Sequence, residues 1–118
     1  MAKATQLNII VQNRPGTVAE LARALGEAKV NIVALMAWGE GPTGTACLVV
    51  DNARRARAAL ASAGLAATES SVQQVELANK PGALAQCLER LAAKGVNLSA
   101  IYGTVSKCGR KASIVLVS

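Results

Sequence analysis

The stretch Asn13-Arg14-Pro15-Gly16 decides the fold, because it returns 66 residues later as Asn79-Lys80-Pro81-Gly82. A copy of the chain shifted by 66 residues aligns without a gap and gives ten identities over 52 overlapping positions. The matched pairs beyond the turn include Val30-Asn31 with Val96-Asn97, Leu25 with Leu91, Ala46 with Ala112 and Val49 with Val115. A repeat of this length is a whole small domain used twice, rather than a solenoid unit.

Hydrophobic periodicity predicts an α+β domain in the first copy. Strands show alternating or continuous apolar residues, and helices show apolar residues at helical spacing. The predicted elements are strand 6–12, helix 17–29, strands 31–38 and 45–50, helix 53–63 and a strand from residue 65. This order, βαββαβ, predicts a ferredoxin-like fold, in which both helices cover one face of an antiparallel sheet.

Three local signals refine the helix boundaries. Thr17 and Glu20 have the spacing of a capping box, in which each side chain bonds the other's free backbone amide. Asp51 or Asn52 is expected to cap the second helix. Lys29 stands where the second copy has Gly95, the usual left-handed terminator of a helix, so we expect a less favourable backbone at Lys29.

The second copy is shorter than the first. We predict two repeats, residues 1–70 and 71–118, the second being βαββ without the final helix and strand. No Gly, Pro or Asn interrupts residues 65–78, so one strand runs between the copies, with a bend or a transfer between sheets near residues 69–71. The missing strand would leave strand 72–78 at an open edge, which predicts a homodimer.

Composition excludes several classes of protein. The 118 residues include no His, and the seven acidic residues and three cysteines do not cluster, so we expect no enzyme activity, no metal and no cofactor. Cys47, Cys87 and Cys108 are expected to be reduced, packed thiols. No apolar stretch reaches the length of a membrane span and the N-terminus lacks an export core, so we predict a cytoplasmic protein with no membrane partner.

The net charge of +6 raises the question of nucleic acid. The basic residues are dispersed, and the densest group, Arg54-Arg55-Ala56-Arg57, lies on a predicted helix. A solvated helix face explains this group better than an anionic partner does. RNA-recognition domains stack bases on aromatic side chains of the open sheet face. The first strand of each copy has no aromatic residue on that face. We therefore expect no nucleic-acid partner.

Each copy has the same order of elements: a strand, Asn-x-Pro-Gly, a helix, Val-Asn-apolar and a second strand. This pattern resembles the ACT domain, a regulatory amino-acid-binding module. Both copies carry it, and the chain is similar to small tandem-ACT proteins that have no catalytic domain. The resemblance implies ferredoxin-like repeats that pair side by side, with ligands at ACT–ACT interfaces. One serine-binding member of the family has a His where this chain has Val11 and Leu77, so the resemblance does not imply serine itself.

The resemblance also implies a set of ligand-binding residues in each copy. They lie in the turn and at the entrance of the second strand. In the first copy they are Asn13, Arg14, Pro15, Gly16, Thr17, Asn31 and Ile32; in the second they are Asn79, Lys80, Pro81, Gly82, Ala83, Asn97 and Leu98.

These residue types suit a free amino acid. The turn leads into a helix N-terminus, whose first amides have no internal partner and favour a carboxylate. Glycine lets a ligand approach the backbone closely, and an Asn amide bonds both ammonium and carboxylate. The same residues also suit a plain turn and helix start without any ligand.

The most direct hypothesis is a non-catalytic regulatory module that binds a free amino acid and transmits binding by changed domain pairing. Its partner would be a regulated enzyme or regulator. The alternatives are a ligand-independent interaction protein, resembling tandem-ACT regulators of transcription, and an RNA-binding ferredoxin-like module.

Overall fold

The computed structural model describes residues 2–104 and 109–118. The elements are β1 (Ala2–Gln12), α1 (Thr17–Glu27), β2 (Ile32–Glu40), β3 (Thr43–Val50), α2 (Ala53–Ser62), β4 (Ala67–Ala78), α3 (Ala83–Ala93), β5 (Ala100–Thr104) and β6 (Lys111–Val117). The chain is therefore an α+β protein with antiparallel strand pairs, as predicted. Within the described ranges, no helix is long and apolar enough to cross a bilayer.

The first compact unit, Thr5–Ser70, is a complete βαββαβ domain. Its strand order is β2-β3-β1-β4, with the first residues of β4 at the end of the row. One face of the sheet packs against both helices, because alternate strand residues point to the same side. The core residues are Leu7, Ile9, Val11, Leu21, Leu25, Val30, Ala46, Leu48, Ala56 and Leu60.

The second compact unit combines residues 2–4 with the described part of 71–118. Its strands follow the order β1-β4-β6-β5, and α3 packs on a small core of Cys87, Leu91, Ile114 and Leu116. No counterpart of α2 lies among its described residues. A groove of about 330 Å³ therefore remains on its sheet, lined by Gln73, Leu91, Val96, Leu98, Leu116 and Ser118.

The predicted open edge at strand 72–78 is wrong. β1 begins at Ala2, four residues earlier than expected, and β4 has a neighbour on each side, β1 and β6. Residues 2–4 belong to the second unit, where they lie at the position of the missing strand. β4 runs without a break from Ala67 to Ala78, and the boundary between the units falls after Ser70. The expected transfer between sheets near residues 69–71 is wrong, because β4 stays in one six-stranded sheet along its length.

The gapless alignment is wrong in the third strand of each repeat, which is β3 in the first repeat and β6 in the second. Ile9 pairs with Ala46, but its counterpart Val75 pairs with Ile114, which lies 68 residues after Ala46. The β5–β6 connection is thus two residues longer than the β2–β3 connection. Ala46 does not correspond to Ala112, nor Val49 to Val115. An even shift keeps every side chain on its predicted face, which is why the pattern concealed it.

Several local predictions are confirmed. Lys29 has φ 63°, in the left-handed region, as Gly95 does at φ 75°. Asn52 caps α2 by accepting from the Arg55 amide at 3.0 Å, whereas Asp51 accepts from the Asn31 amide at 2.9 Å. Cys47 and Cys87 are free and buried; Cys108 lies outside the described residues.

Candidate ligand-binding site

The β1–α1 turn of the first unit and the β4–α3 turn of the second have the same geometry. Gly16 is the residue before α1 with φ 89°, and Gly82 precedes α3 with φ 85°. These positive φ values require a residue without a β-carbon penalty. The Asn-x-Pro-Gly motif therefore has a conformational reason to recur at both turns.

The predicted capping box at Thr17 is wrong. Because Gly16 is the N-cap, Thr17 falls inside the helix and its side chain makes no capping bond. The Oγ1 atom of Thr17 is buried and has no hydrogen-bond partner among the described residues. Glu20 instead pairs with Arg14 at 3.3 Å, and both side chains are about half exposed.

Two amides at the start of α1 have no partner among the described residues. The Thr17 amide reaches the Arg14 carbonyl at 3.4 Å and the Glu20 amide reaches the Gly16 carbonyl at 2.9 Å. The amides of Val18 and Ala19, between them, find no acceptor in the described part of the chain. Such first-turn amides, together with the positive end of the helix dipole, favour a carboxylate.

Asn13 and Asn79 hold the adjacent hairpins. The Asn13 side-chain amide donates to the Gly41 carbonyl at 2.8 Å, and the Asn79 amide donates to the Gly109 carbonyl at 3.0 Å. The backbone amides of the same two residues also donate to hairpin carbonyls, that of Asn13 to Pro42 and that of Asn79 to Arg110. The two side chains therefore have a structural role, and their Oδ1 atoms accept no hydrogen bond from the described residues.

A cavity of about 160 Å³ lies beside this turn in the first unit. Asn13, Arg14 and Thr17, three of the residues predicted to bind a ligand, line it. Seven further lining residues lie outside the predicted set: Val11, Gln12, Val18, Ala37, Trp38, Gly39 and Thr45. The only sequence signal for them is a run of small residues on two neighbouring strands, at Ala37, Gly39, Gly44 and Ala46.

The strand-entrance residues are far from the turn of their own unit. Ile32 pairs with Val50 at one end of β3, whereas Gln12, next to Asn13, pairs with Thr43 at the other end. This separation, seven residues along β3, is about 23 Å at about 3.3 Å per residue. The side chains of Ile32 and Leu98 pack against their cores.

Asn31 and Asn97 themselves are exposed. The backbone of Asn31 is held by Asp51, but neither Asn side chain makes a hydrogen bond within the described ranges. Both carboxamides are therefore available to a partner outside their own unit.

The second turn carries fewer polar groups than the first. Lys80 replaces Arg14, Ala83 replaces Thr17, and Gln86 stands where α1 has Glu20. The Thr17 hydroxyl and the Arg14–Glu20 ion pair thus have no equivalents there. Pro81 and Gly82 keep the turn itself.

Comparison with known protein families shows which family this chain belongs to. A family model for the ACT domain pair matches residues 2–117, so this chain belongs to the ACT domain pair family. No curated protein is significantly similar to the chain.

Among solved structures, the chain is similar to protein BT0572 from Bacteroides thetaiotaomicron, with 28% identity, a TM-score of 0.89 and coverage of 97% of this chain and 78% of that one. It is also similar to the regulatory subunit of aspartate kinase from Thermus thermophilus, with 17% identity, a TM-score of 0.73 and coverage of 99% and 88%. The regulatory subunit of aspartate kinase from Thermus flavus has 21% identity and a TM-score of 0.69, with coverage of 98% of this chain and 86% of that one. At these identities the two aspartate kinase subunits show a shared fold.

Proposed function

We propose that this chain is a non-catalytic regulatory module that binds a free amino acid and transmits binding through a change in how ACT domains pair. The observation that carries the proposal is the cavity beside the Asn13–Thr17 turn, with two unpaired amides in the first turn of α1. A carboxylate suits those amides, and a ligand ammonium suits the Asn13 Oδ1 atom. Membership of the ACT domain pair family supports this function.

In its finer form, the proposal places the ligand at an ACT–ACT interface in the cytoplasm. Asn31 and Asn97 support it, since both side chains are exposed and lie far from their own turns. Each would complete the turn of another ACT domain. Binding then stabilises one domain pairing over another and alters contact with a regulated enzyme or regulator. Regulatory subunits of aspartate kinase share the fold and supply a precedent for such a partner.

Calorimetry and thermal shift against the twenty amino acids test the proposal. We expect at least one to bind with a dissociation constant between about 1 μM and 1 mM. Asn31→Ala should weaken that binding with little change in melting temperature, because its side chain makes no bond in its own unit. Absence of heat and of any shift in melting temperature with all twenty would refute amino-acid binding.

One observation favours a ligand-independent interaction protein as the second candidate. Asn13 and Asn79 both bond a hairpin carbonyl, so the repeated motif is explained by structure alone. Asn13→Ala and Asn79→Ala separate the two functions. If partner binding survives both changes and no amino acid affects it, the interaction function is correct.

The RNA-binding alternative has one new feature to consider. Trp38 pairs across from Thr45, which pairs across from Ile10, so the three share a row on the face opposite Val11. Ile10 and Trp38 are 67% and 47% exposed. A salt-dependent shift with single-stranded RNA, lost in Trp38→Ala, would support it.

A further inference from the structure

The cavity of the first unit exists because small residues face each other across two neighbouring strands, β2 and β3. Ala37 pairs with Ala46, and Gly39 pairs with Gly44. Two of these residues have a methyl side chain and two have none, so the sheet under the start of α1 carries no bulky side chain at these positions. The volume left open, about 160 Å³, is bounded by Val11, Val18 and Thr17.

The corresponding volume of the second unit is filled. Gly103, the counterpart of Ala37, pairs with Ile114, the counterpart of Ala46. The Cδ1 atom of Ile114 lies over Gly103, in the space that a β-carbon on Gly103 would need. Ile114 is buried in the second core, so this side chain is fixed where the first unit has open volume.

The polar groups beside the two turns also differ, and again the first unit is the one suited to a ligand. The buried Thr17 Oγ1 atom lacks a partner among the described residues, whereas Ala83 has no hydroxyl at that position. An unpaired buried hydroxyl costs free energy unless something bonds it. Beside its turn, the first unit thus has both an open volume and an unbonded buried hydroxyl, and the described residues of the second turn have neither. The first-turn amides do not distinguish the two turns, since those of Leu84 and Ala85 find no acceptor among the described residues, like those of Val18 and Ala19.

We infer that each chain binds one amino acid, at the first turn, and that the ligand has a short aliphatic or hydroxylated side chain. This inference rests on the proposed function and adds the number of sites and the size of the ligand. A cavity of about 150 Å³ accepts benzene, with six non-hydrogen atoms. Alanine and serine, with six and seven non-hydrogen atoms, match that size, and threonine and valine exceed it by two atoms. Lysine and phenylalanine exceed it by four and six.

Calorimetry on the full chain with these six amino acids tests the inference. We expect one ligand per chain and at least about tenfold tighter binding of the best short amino acid than of lysine or phenylalanine. Two ligands per chain, or equal binding of lysine or phenylalanine, would overturn the inference and leave amino-acid binding intact. If only larger members of the twenty bind, the size claim alone fails. If none of the twenty binds, the proposed function fails with it.

Matched variants locate the site. Ala37→Leu fills the cavity from an exposed position, so the fold is kept and binding should fall at least about tenfold. Ala92→Leu, the same change on the exposed face of α3, should leave binding unchanged. Arg14→Ala should weaken binding and Lys80→Ala should not. If Ala37→Leu binds as the unchanged chain does, or if Lys80→Ala weakens binding as much as Arg14→Ala does, the first-turn site is wrong.

Discussion

Single residues show where the two repeats have diverged under the same backbone. Lys29 and Gly95 occupy one position and one left-handed conformation, with φ values of 63° and 75°. Only the lysine bears the steric cost of that conformation, about 1–2 kcal/mol for an L-residue with a β-carbon.

Lys29→Gly should therefore stabilise the protein. The gain is the relieved steric cost less the extra unfolded-state entropy of glycine, about 0.5–1 kcal/mol, which leaves about 0.5–1 kcal/mol in the free energy of unfolding. Urea denaturation at neutral pH measures it. Gly95→Lys is the reverse change and should destabilise by a similar amount. A loss of stability in Lys29→Gly would show that the lysine side chain makes a compensating contact.

Cys47 gives the protein a specific pH dependence. Burial raises the pKa of the Cys47 thiol above its ordinary value. The thiol of the unfolded chain ionises near pH 8.5, while the folded thiol keeps its proton to a higher pH. The free energy of unfolding therefore falls as pH rises above about 8.5.

Cys47→Val tests this dependence, since Val115 occupies the corresponding position of the second unit. The difference in unfolding free energy between Cys47→Val and the parent chain should grow in favour of the variant between pH 7 and pH 9.5. A difference that is constant across that range would contradict a neutral folded thiol.

At the scale of elements, helices and strand faces follow from the sequence, whereas registers and turn contacts do not. Apolar spacing predicts α1 and α3 because a helix face needs residues three or four apart. The two-residue shift of β6 has no signature, because Ala112 and Ile114 are both apolar and point to the same face. The strand over Ala2–Ala4 has none either, since its neighbour β4 is distant in sequence.

The same limit applies to the site. Asn13, Arg14 and Thr17 are predictable from the repeated motif, but the cavity depends on Ala37 and Gly39, which strand pairing brings beneath α1. The Thr17–Glu20 capping box failed because Gly16, with its positive φ, takes the N-cap position first. Local spacing signals cannot show which residue a tight turn leaves outside the helix.

The helices should differ in local stability. α1 packs in a core that α2 completes, whereas α3 packs in a smaller core beside an open groove. Local opening is easier where fewer apolar groups are buried. Hydrogen exchange should therefore be faster for peptides from α3 (Ala83–Ala93) than for peptides from α1 (Thr17–Glu27). Equal protection of the two helices would mean that the groove is covered in solution.

At the scale of the whole molecule, the predicted homodimer needs a different edge. Since β1 covers β4, the outer strands are β2 in the first unit and β5 in the second. β2 exposes more apolar surface: Val33 is 49% exposed and Leu35 46%, against 40% for Ile101 on β5. Exposed apolar edges favour pairing with another chain.

We therefore predict a dimer that forms through β2. Sedimentation equilibrium should give the dimer mass at micromolar concentration. Leu35→Lys should return a monomer because it adds charge to the pairing edge, while Ile101→Lys, the matched change on β5, should stay dimeric. A monomer at high micromolar concentration in the parent chain would refute the dimer.

The most direct measurement of amino-acid binding is the amide NMR spectrum of the labelled chain during titration with alanine, serine, threonine and valine in turn. A carboxylate bound at the first turn must bond the free amides of Val18 and Ala19. We predict that one of these ligands shifts both resonances along a single saturable curve and leaves Leu84 and Ala85, at the second turn, unchanged. Val18 and Ala19 resonances that stay fixed with every amino acid would contradict a ligand site at this turn.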